Sequence, residues 1–273
     1  MTNSPNFELT DIQIQSFIDD GFVKISGAFT NDTAKQSREL LWEMIEAEHP
    51  DINRNDSSTW PTTSETEPLN VIRIEGSDDS IFVDAANTPK LTSAFDQLVG
   101  ERRWIPRYNM GSFVIPFPSD FDDGDMDHAH IDGCELINGR YQLRFETDCR
   151  VLLMLFLYDD VTEINAPTQL WVGSHKLVAP VLFANKGNFM RSEDVTEQIP
   201  FKDLPVAFAT GNAGDVYLCH PFIVHTGTFN RSNAPRFLAQ PGLEPVEPLN
   251  VERGVGFDYS PVEIAVREAI GLS

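Results

Sequence analysis

The chain is poor in positive charge, in cysteine and in long apolar runs. Twenty Lys and Arg stand against 42 Asp and Glu, a formal net charge of -22, so the basic footprint of a nucleic-acid binder is missing. The imbalance reads first as a solubility surface and only second as an acidic pocket for a cation. The three cysteines, Cys134, Cys149 and Cys219, make neither a disulfide framework nor a zinc spacing, which points to reduced thiols and a cytoplasmic setting. The longest apolar run, Val151 to Tyr158, is too short to cross a bilayer and fits a buried strand, so no membrane partner is expected. The opening residues MTNSPNFELT lack a basic stretch followed by an apolar one, and no signal peptide is expected there. A phosphate-cradling glycine loop is also missing, and Gly173-Ser174-His175 is not a nucleophile elbow of the G-x-S-x-G kind.

What is present is enough to build a core. With 41% hydrophobic residues over 273 positions, the chain reads as one domain spanning 1–273, without a linker, repeat or low-complexity tract. Helical elements fall mainly in 1–100 and 260–271. Thr10-Asp11-Ile12-Gln13 reads as a capping box for a helix ending near Gly21, and Ser260-Pro261-Val262-Glu263 as another with proline at the first turn. Two further helices are expected from Thr30 to Ala47 and from Lys90 to Val99. Strands are expected at 22–25, 71–74, 104–108, 112–115, 151–158, 169–172, 215–219, 222–227 and 236–239, punctuated by Gly, Pro, Asn and Asp. No helical pattern is read between the later strands, so a mainly β domain with flanking helices, an antiparallel jelly roll, is the expected class. Residues 185–203 read as a long insertion, a mobile loop near the site.

Four residues carry chemistry. His130-Ile131-Asp132 sets an imidazole and a carboxylate two residues apart, on one face of an extended chain. His225, from a later strand-like segment, can close a facial triad of two His and one carboxylate, the arrangement of non-haem Fe(II) oxygenases. Arg236, eleven residues beyond His225, can hold the far carboxylate of a 2-oxo acid by a bidentate pair. The competing pair His49-Pro50-Asp51 ends a helix at a proline and reads as structural. His128 shares the parity of His130 and lies at the pocket mouth if it touches substrate at all; His175 and His220 read as structural. The acidic run Asp120, Asp122, Asp123 and Asp125 lacks the spacing of an EF-hand loop.

In this order and spacing the chain resembles the phytanoyl-CoA dioxygenase family. Asp20-Gly21-Phe22-Val23-Lys24-Ile25 is similar to that family's opening strand. Leu157-Tyr158-Asp159-Asp160, Asn165-Ala166-Pro167-Thr168 and Gly173-Ser174-His175-Lys176 follow as its central segments. Gly214 to His220, with His225, Asn230, Ser232 and Arg236, matches its distal-histidine block. The resemblance implies a double-stranded β-helix of the cupin type, Fe(II) held by His130, Asp132 and His225, and 2-oxoglutarate as cosubstrate held by Arg236. The sequence departs at Val172, where a proline is usual, at Ala166, where a glycine is usual, and at Gly227, where a small polar residue is common. Thr168 or Thr228 can supply the missing hydroxyl, although Thr228 would face the other side of a regular strand.

The implied reaction is hydroxylation of a small organic molecule with molecular oxygen, releasing succinate and carbon dioxide. A carboxylate at Asp132 favours hydroxylation over halogenation, for which related enzymes leave that position small. The acidic segment Asp120 to Asp127 beside the ligands argues for a non-phosphorylated substrate rather than an acyl-CoA. Against it stand Arg102, Arg103, Arg107, Arg144 and Arg150, which can gather into a local basic patch. Trp104, Arg107 and Tyr108 are candidates to line the pocket. A non-catalytic metal-binding cupin-like protein and a different metalloenzyme on the same barrel are the alternatives. Oligomeric state is left open.

Overall fold

The structure, a computed structural model, describes residues 7–63, 70–120, 128–254 and 256–272. The first half alternates helices with single strands: α1 (Asp11–Asp20), β1 (Phe22–Ile25), α2 (Asn31–Glu48), β2 (Val71–Ile74), α3 (Ser80–Ala86), α4 (Pro89–Val99) and β3 (Phe113–Pro116). A hairpin follows, β4 (Glu135–Ile137) and β5 (Arg140–Leu143), then the central strand β6 (Leu152–Leu157) and β7 (Gln169–Trp171). The chain continues through α5 (Ser174–Ala184), β8 (Met190–Arg191), α6 (Ser192–Thr196), β9 (Val206–Phe208), β10 (Val216–Cys219), β11 (His225–Thr226), β12 (Leu238–Ala239), β13 (Gly242–Leu243) and α7 (Pro261–Ala269).

The larger sheet runs β2-β3-β12-β6-β10-β1, every neighbouring pair antiparallel, with β13 also on β6. A smaller antiparallel sheet, β11-β7-β9, faces it, and β4-β5-β8 form a third beside the mouth. This is the expected jelly roll, open rather than a closed barrel. All six residues of β6 are buried, but their faces differ. Leu153, Leu155 and Leu157 join Tyr217, Cys219, Leu238 and Leu170 in a core between the sheets. Leu152, Met154 and Phe156 join Phe113, Phe82 and Leu91 in a second core under the helices. A strand covered on both sides reads as an unbroken apolar run, as this one does.

The helix ends follow from local chemistry. Both capping boxes form: Thr10 with Gln13, and Ser260 with Glu263. α1 stops at Gly21, whose φ of 88° suits glycine. A Cβ on Gly21 would also lie 2.5 Å from His175 Nδ1. His175 needs that space, because its Nε2 lies 3.0 Å from the Ile18 carbonyl. The match between Asp20-Gly21-Phe22 and Gly173-Ser174-His175 is therefore one packing unit. Ser174 completes it by accepting from the Val224 N–H at 2.9 Å.

Several expectations are corrected. Residues 104–108 form no strand: Trp104 makes a single bridge to Pro245 and donates its indole N–H to Asp96 at 2.8 Å. The distal segment 222–227 narrows to the two-residue β11. Residues 185–203 are not an irregular loop: β8 pairs with β5 and α6 follows directly. Cys134 and Cys149 form a disulfide with Cα atoms 5.6 Å apart, so they are not reduced thiols. Their 15-residue separation carries no pattern in sequence; the β4–β5 hairpin is what returns the chain.

Gly21→Ala is expected to lose about 2–4 kcal/mol of stability, through the left-handed backbone and overpacking against His175. Gly139→Ala, with φ 75° but nothing within 4 Å of an added Cβ, is expected to lose only about 1–2 kcal/mol. Urea unfolding of both variants checks the difference; equal losses would mean that His175 gives way.

Candidate active site

The ligand pair sits on a short extended stretch rather than in a sheet. Ile131 points into the core and is 2% exposed, so His130 and Asp132 on either side of it share the opposite face. The Ile131 N–H donates to Ser192 Oγ at 2.7 Å, tying this stretch to α6. His130 and His225 exchange two backbone hydrogen bonds, both 2.9 Å. Their rings lie 4.4 Å apart between centroids.

Each histidine presents the same nitrogen to one point. His130 Nδ1 lies 2.8 Å from the His128 carbonyl, and His225 Nδ1 lies 3.3 Å from the Ile223 carbonyl. With those Nδ1 atoms donating, both Nε2 lone pairs are free for a metal. The two Nε2 atoms stand 3.5 and 3.7 Å from Asp132 Oδ1. One ligand atom from each of the three residues lies within 4.8 Å of the others. Ligands held at about 2.1 Å from one ion in a facial set stand roughly 3 Å apart, so a small contraction suits them to a divalent metal.

Charge prepares the site. Burial alone would raise Asp132, but Arg150 first, then His225 and His130, hold its carboxyl far below the usual range. Arg150 Nη1 is 3.3 Å from Asp132 Oδ2, the side away from the histidines. Burial pushes His225 down to about 4. Burial opposes protonation of His130 too, but the hydrogen bond and charge of Asp132 outweigh it and raise that imidazole. His225 is 2% exposed in its side chain and His130 46%, so the centre is open on the His130 side.

A second set of polar groups lies between the sheets. Arg236 is two residues before the inward-facing Leu238 and shares its parity. It is 3% exposed, and its Nε and Nη1 have no hydrogen-bond partner. Burial lowers it to about 10, with Asp159 opposing, so it stays charged at neutral pH. Thr168, two residues before the inward-facing Leu170, has a buried hydroxyl that is likewise unpartnered. Buried donors left unpaired are destabilising unless a ligand satisfies them. A buried cation and a buried free hydroxyl, both at inward-facing positions, therefore suit a carboxylate ligand. Thr228 is placed differently, donating its hydroxyl to the Pro167 carbonyl at 2.7 Å.

The motif residues around these groups are their scaffold. Asn230 Nδ2 donates to the carbonyls of Pro116 and Ala234, and its Oδ1 accepts from Ser232. That turn delivers Arg236, whose N–H reaches the Pro116 carbonyl. Asp159 accepts from the Phe237 N–H at 2.7 Å and pairs with Arg38 Nε at 3.2 Å. Ala166 has φ 55°, a left-handed backbone that explains why glycine is usual there.

The chain resembles known proteins along most of its length. The family model described as phytanoyl-CoA dioxygenase (PhyH) matches residues 17–238. The chain belongs to this family. No curated protein matches it in sequence. Among solved structures, the non-heme alpha-ketoglutarate-dependent carbocyclase SnoK from nogalamycin biosynthesis is 17% identical, with a TM-score of 0.56 over 91% of this chain and 97% of that one. HygX from Streptomyces hygroscopicus, with nickel, 2-oxoglutarate and hygromycin B bound, is 18% identical, with a TM-score of 0.54 over 93% and 98%. EctD from S. alaskensis with bound Fe is 15% identical, with a TM-score of 0.51 over 93% and 84%. At these identities the likeness shows the shared fold.

Other residues singled out in the sequence fall away from the PhyH-family site. His175 and His220 are buried and bonded to the Ile18 and Val262 carbonyls. His49 caps the end of α2. His128 is exposed and supplies only its carbonyl to His130. Residues 121–127 of the acidic run lie outside the described residues. The five arginines do not gather into one patch. Arg103 pairs with Glu263 and Arg144 with Asp148, whereas Arg107 and Arg150 line the cleft over the metal ligands. Tyr108 is 63% exposed. The contributors missed include Arg73, Arg140, Ser192, Glu193 and Glu244, all on the cleft wall. The signal for Arg73 was its place between the outward-packed Ile72 and Ile74, which turns it inward.

His130→Ala, Asp132→Ala and His225→Ala are each expected to weaken Fe(II) or Co(II) binding by at least about 100-fold with the fold intact, and His49→Ala to change nothing. Binding must also weaken on acidification, because the metal needs neutral imidazoles. His130, with its raised pKa, takes a proton first, and His225 follows near 4. Metal titrations between neutral pH and about pH 5 check the direction; affinity that is flat over this range would remove His130 from the ligand set.

Proposed function

We propose that the protein is an Fe(II)- and 2-oxoglutarate-dependent oxygenase that hydroxylates a small, non-phosphorylated organic substrate. The observation that carries this reading is the pairing of a three-ligand centre with a buried, unpartnered arginine on the inner face of the same jelly roll. Membership of the PhyH family supports it, as do the metal and 2-oxoglutarate bound by HygX.

Bound Fe(II), with 2-oxoglutarate and oxygen, supplies the oxidising power, and succinate and carbon dioxide are the cosubstrate's products. The chain's own residues set the geometry. His130 and His225 would offer Nε2, and Asp132 one carboxylate oxygen, leaving the remaining positions free. Arg236 would take the distal carboxylate of the cosubstrate in a bidentate pair, with the Thr168 hydroxyl as a further donor. Thr228 would act only indirectly, by fixing the Pro167 backbone next to Thr168. The leucines between the sheets exclude water, which strengthens the charged contacts. The carboxylate at Asp132 favours hydroxylation, since no space is left there for a halide. The fold alone does not choose the reaction: SnoK is a carbocyclase and SnoN an epimerase.

Arg236 also weighs against a non-catalytic metal binder, which has no use for a buried carboxylate clamp. The cytoplasmic setting belongs to this proposal and requires the Cys134–Cys149 bridge to persist or be reduced there. No described helix is long and apolar enough to cross a membrane.

The test is succinate release from 2-oxoglutarate with Fe(II) and oxygen, first uncoupled and then with a substrate panel. Arg236→Ala is expected to weaken 2-oxoglutarate binding by about 2–5 kcal/mol, far more than it alters metal binding. Arg236→Lys should recover only part of this, because lysine lacks the planar fork. Unchanged 2-oxoglutarate affinity in Arg236→Ala would remove the clamp; turnover supported by Zn(II) in place of Fe(II) would favour a different metalloenzyme.

A further inference from the structure

The cleft above the metal ligands runs against the charge of the whole chain. Arg73, Arg107, Arg140 and Arg150 all line it, in a protein with 42 acidic and only 20 basic residues. Arg107 is fully committed: it donates to the carbonyls of Asn109 and Gly242 and pairs with Glu244 at 3.0 Å. The others are not. Arg73 has no hydrogen bond or ion pair with any described residue. Its backbone lies opposite Val114 of β3, and Val114 packs on the inner core, so Arg73 projects over the same face as the ligands. It stands close enough to His130 to oppose that ring's protonation.

Arg150 is the more telling residue. Its side chain is 15% exposed, and its stem packs against Gly242, where an added Cβ would meet Arg150 Nε at 3.0 Å. Nε and Nη1 are buried without a hydrogen-bond partner. The 3.3 Å approach of Nη1 to Asp132 Oδ2 is an ion-pair distance without hydrogen-bond alignment. With Asp132 turned to a metal through Oδ1, Oδ2 stays beside Nη1, and Nε is the buried donor left without an acceptor among the described residues. Of the described acidic groups facing the cleft, Glu244 is held by Arg107 and Asp132 is a ligand, which leaves Glu193 against three arginines.

We infer that Arg150 and Arg73 form an anion subsite at the mouth of the cleft and receive a carboxylate of the primary substrate. This rests on the proposed oxygenase reading in placing the reacting carbon over the metal. A single carboxylate fits better than a phosphate ester, because Glu193 and a dianionic cosubstrate already occupy the neighbourhood and each added negative charge would be repelled. Guanidinium groups match a planar carboxylate in bidentate fashion. Arg140, exposed on β5, would steer the anion at the rim.

The test uses the protein loaded with Zn(II) and saturating 2-oxoglutarate, which does not turn over. A panel of carboxylic-acid fragments, their primary amides and the matching monophosphates is screened by ligand-observed NMR. The expected result is enrichment of acids over amides, with Kd values for the acids rising about tenfold or more in Arg73→Gln and in Arg150→Gln. Lys186→Gln, a surface change of the same charge, should leave the enrichment as it is. No excess of acids over amides, or an excess that survives both arginine changes, would overturn the subsite. Preference for the monophosphates would overturn the carboxylate assignment. Zinc content and 2-oxoglutarate titration of Arg150→Gln separate the remaining roles: loss of either, with acid binding intact, would make Arg150 a support for Asp132 or the cosubstrate instead. Arginine-dependent acid binding in a protein that makes no succinate would keep the subsite while sinking the oxygenase reading.

Discussion

The alternation of side chains along β6 is the constraint on which the rest depends. Leu153, Leu155 and Leu157 fill the space between the sheets, and their neighbours fill the space under the helices. Strand pairing carries this parity outward through β10, β12 and β3. Arg236 and Arg73 inherit their inward direction from it; across the gap, Thr168 and His225 take theirs from β7, where Leu170 faces inward. A one-residue slip in β12 would turn Arg236 into the apolar layer beneath the helices. The leucines also set the electrostatics, since a dry interior strengthens each charged contact and penalises each unpaired donor.

Net charge and local charge separate cleanly in this molecule. Most acidic side chains lie on helix surfaces and loops, where water and salt screen them. Arg107, Arg150 and Arg236, which are largely buried, meet a lower dielectric and act at short range. Composition was therefore silent on the sign of the cleft. The described cleft walls come from β2, β5 and the residues before β6, whose arginines no count of the whole chain reveals.

What was legible in the sequence was local. Thr10 and Ser260 announce their helices because a capping box is complete within four residues. The triad was legible because His130 and Asp132 share one face over three residues, and because the distal block repeats a family's spacing. The hairpin of β4 and β5 was overlooked even though Asn138-Gly139, with φ 51° and 75°, is the usual two-residue turn signal; its short polar strands gave no hydrophobic alternation. α5 was hidden by Pro180 within it and by Gly173 at its start. The Cys134–Cys149 bridge and the cleft that Arg73 and Arg150 both line depend on strand pairing, which no local window contains.

The two backbone hydrogen bonds between His130 and His225 make the metal ligands each other's support. The spacing of the imidazoles is set by a peptide ladder, not by the ion, so little chain entropy remains to be lost when a metal arrives. Such a centre is largely preorganised, with only the small contraction of its ligand atoms left for an ion to draw in. Amide hydrogen exchange would see this directly, as slow exchange at His130 and His225 before any metal is added.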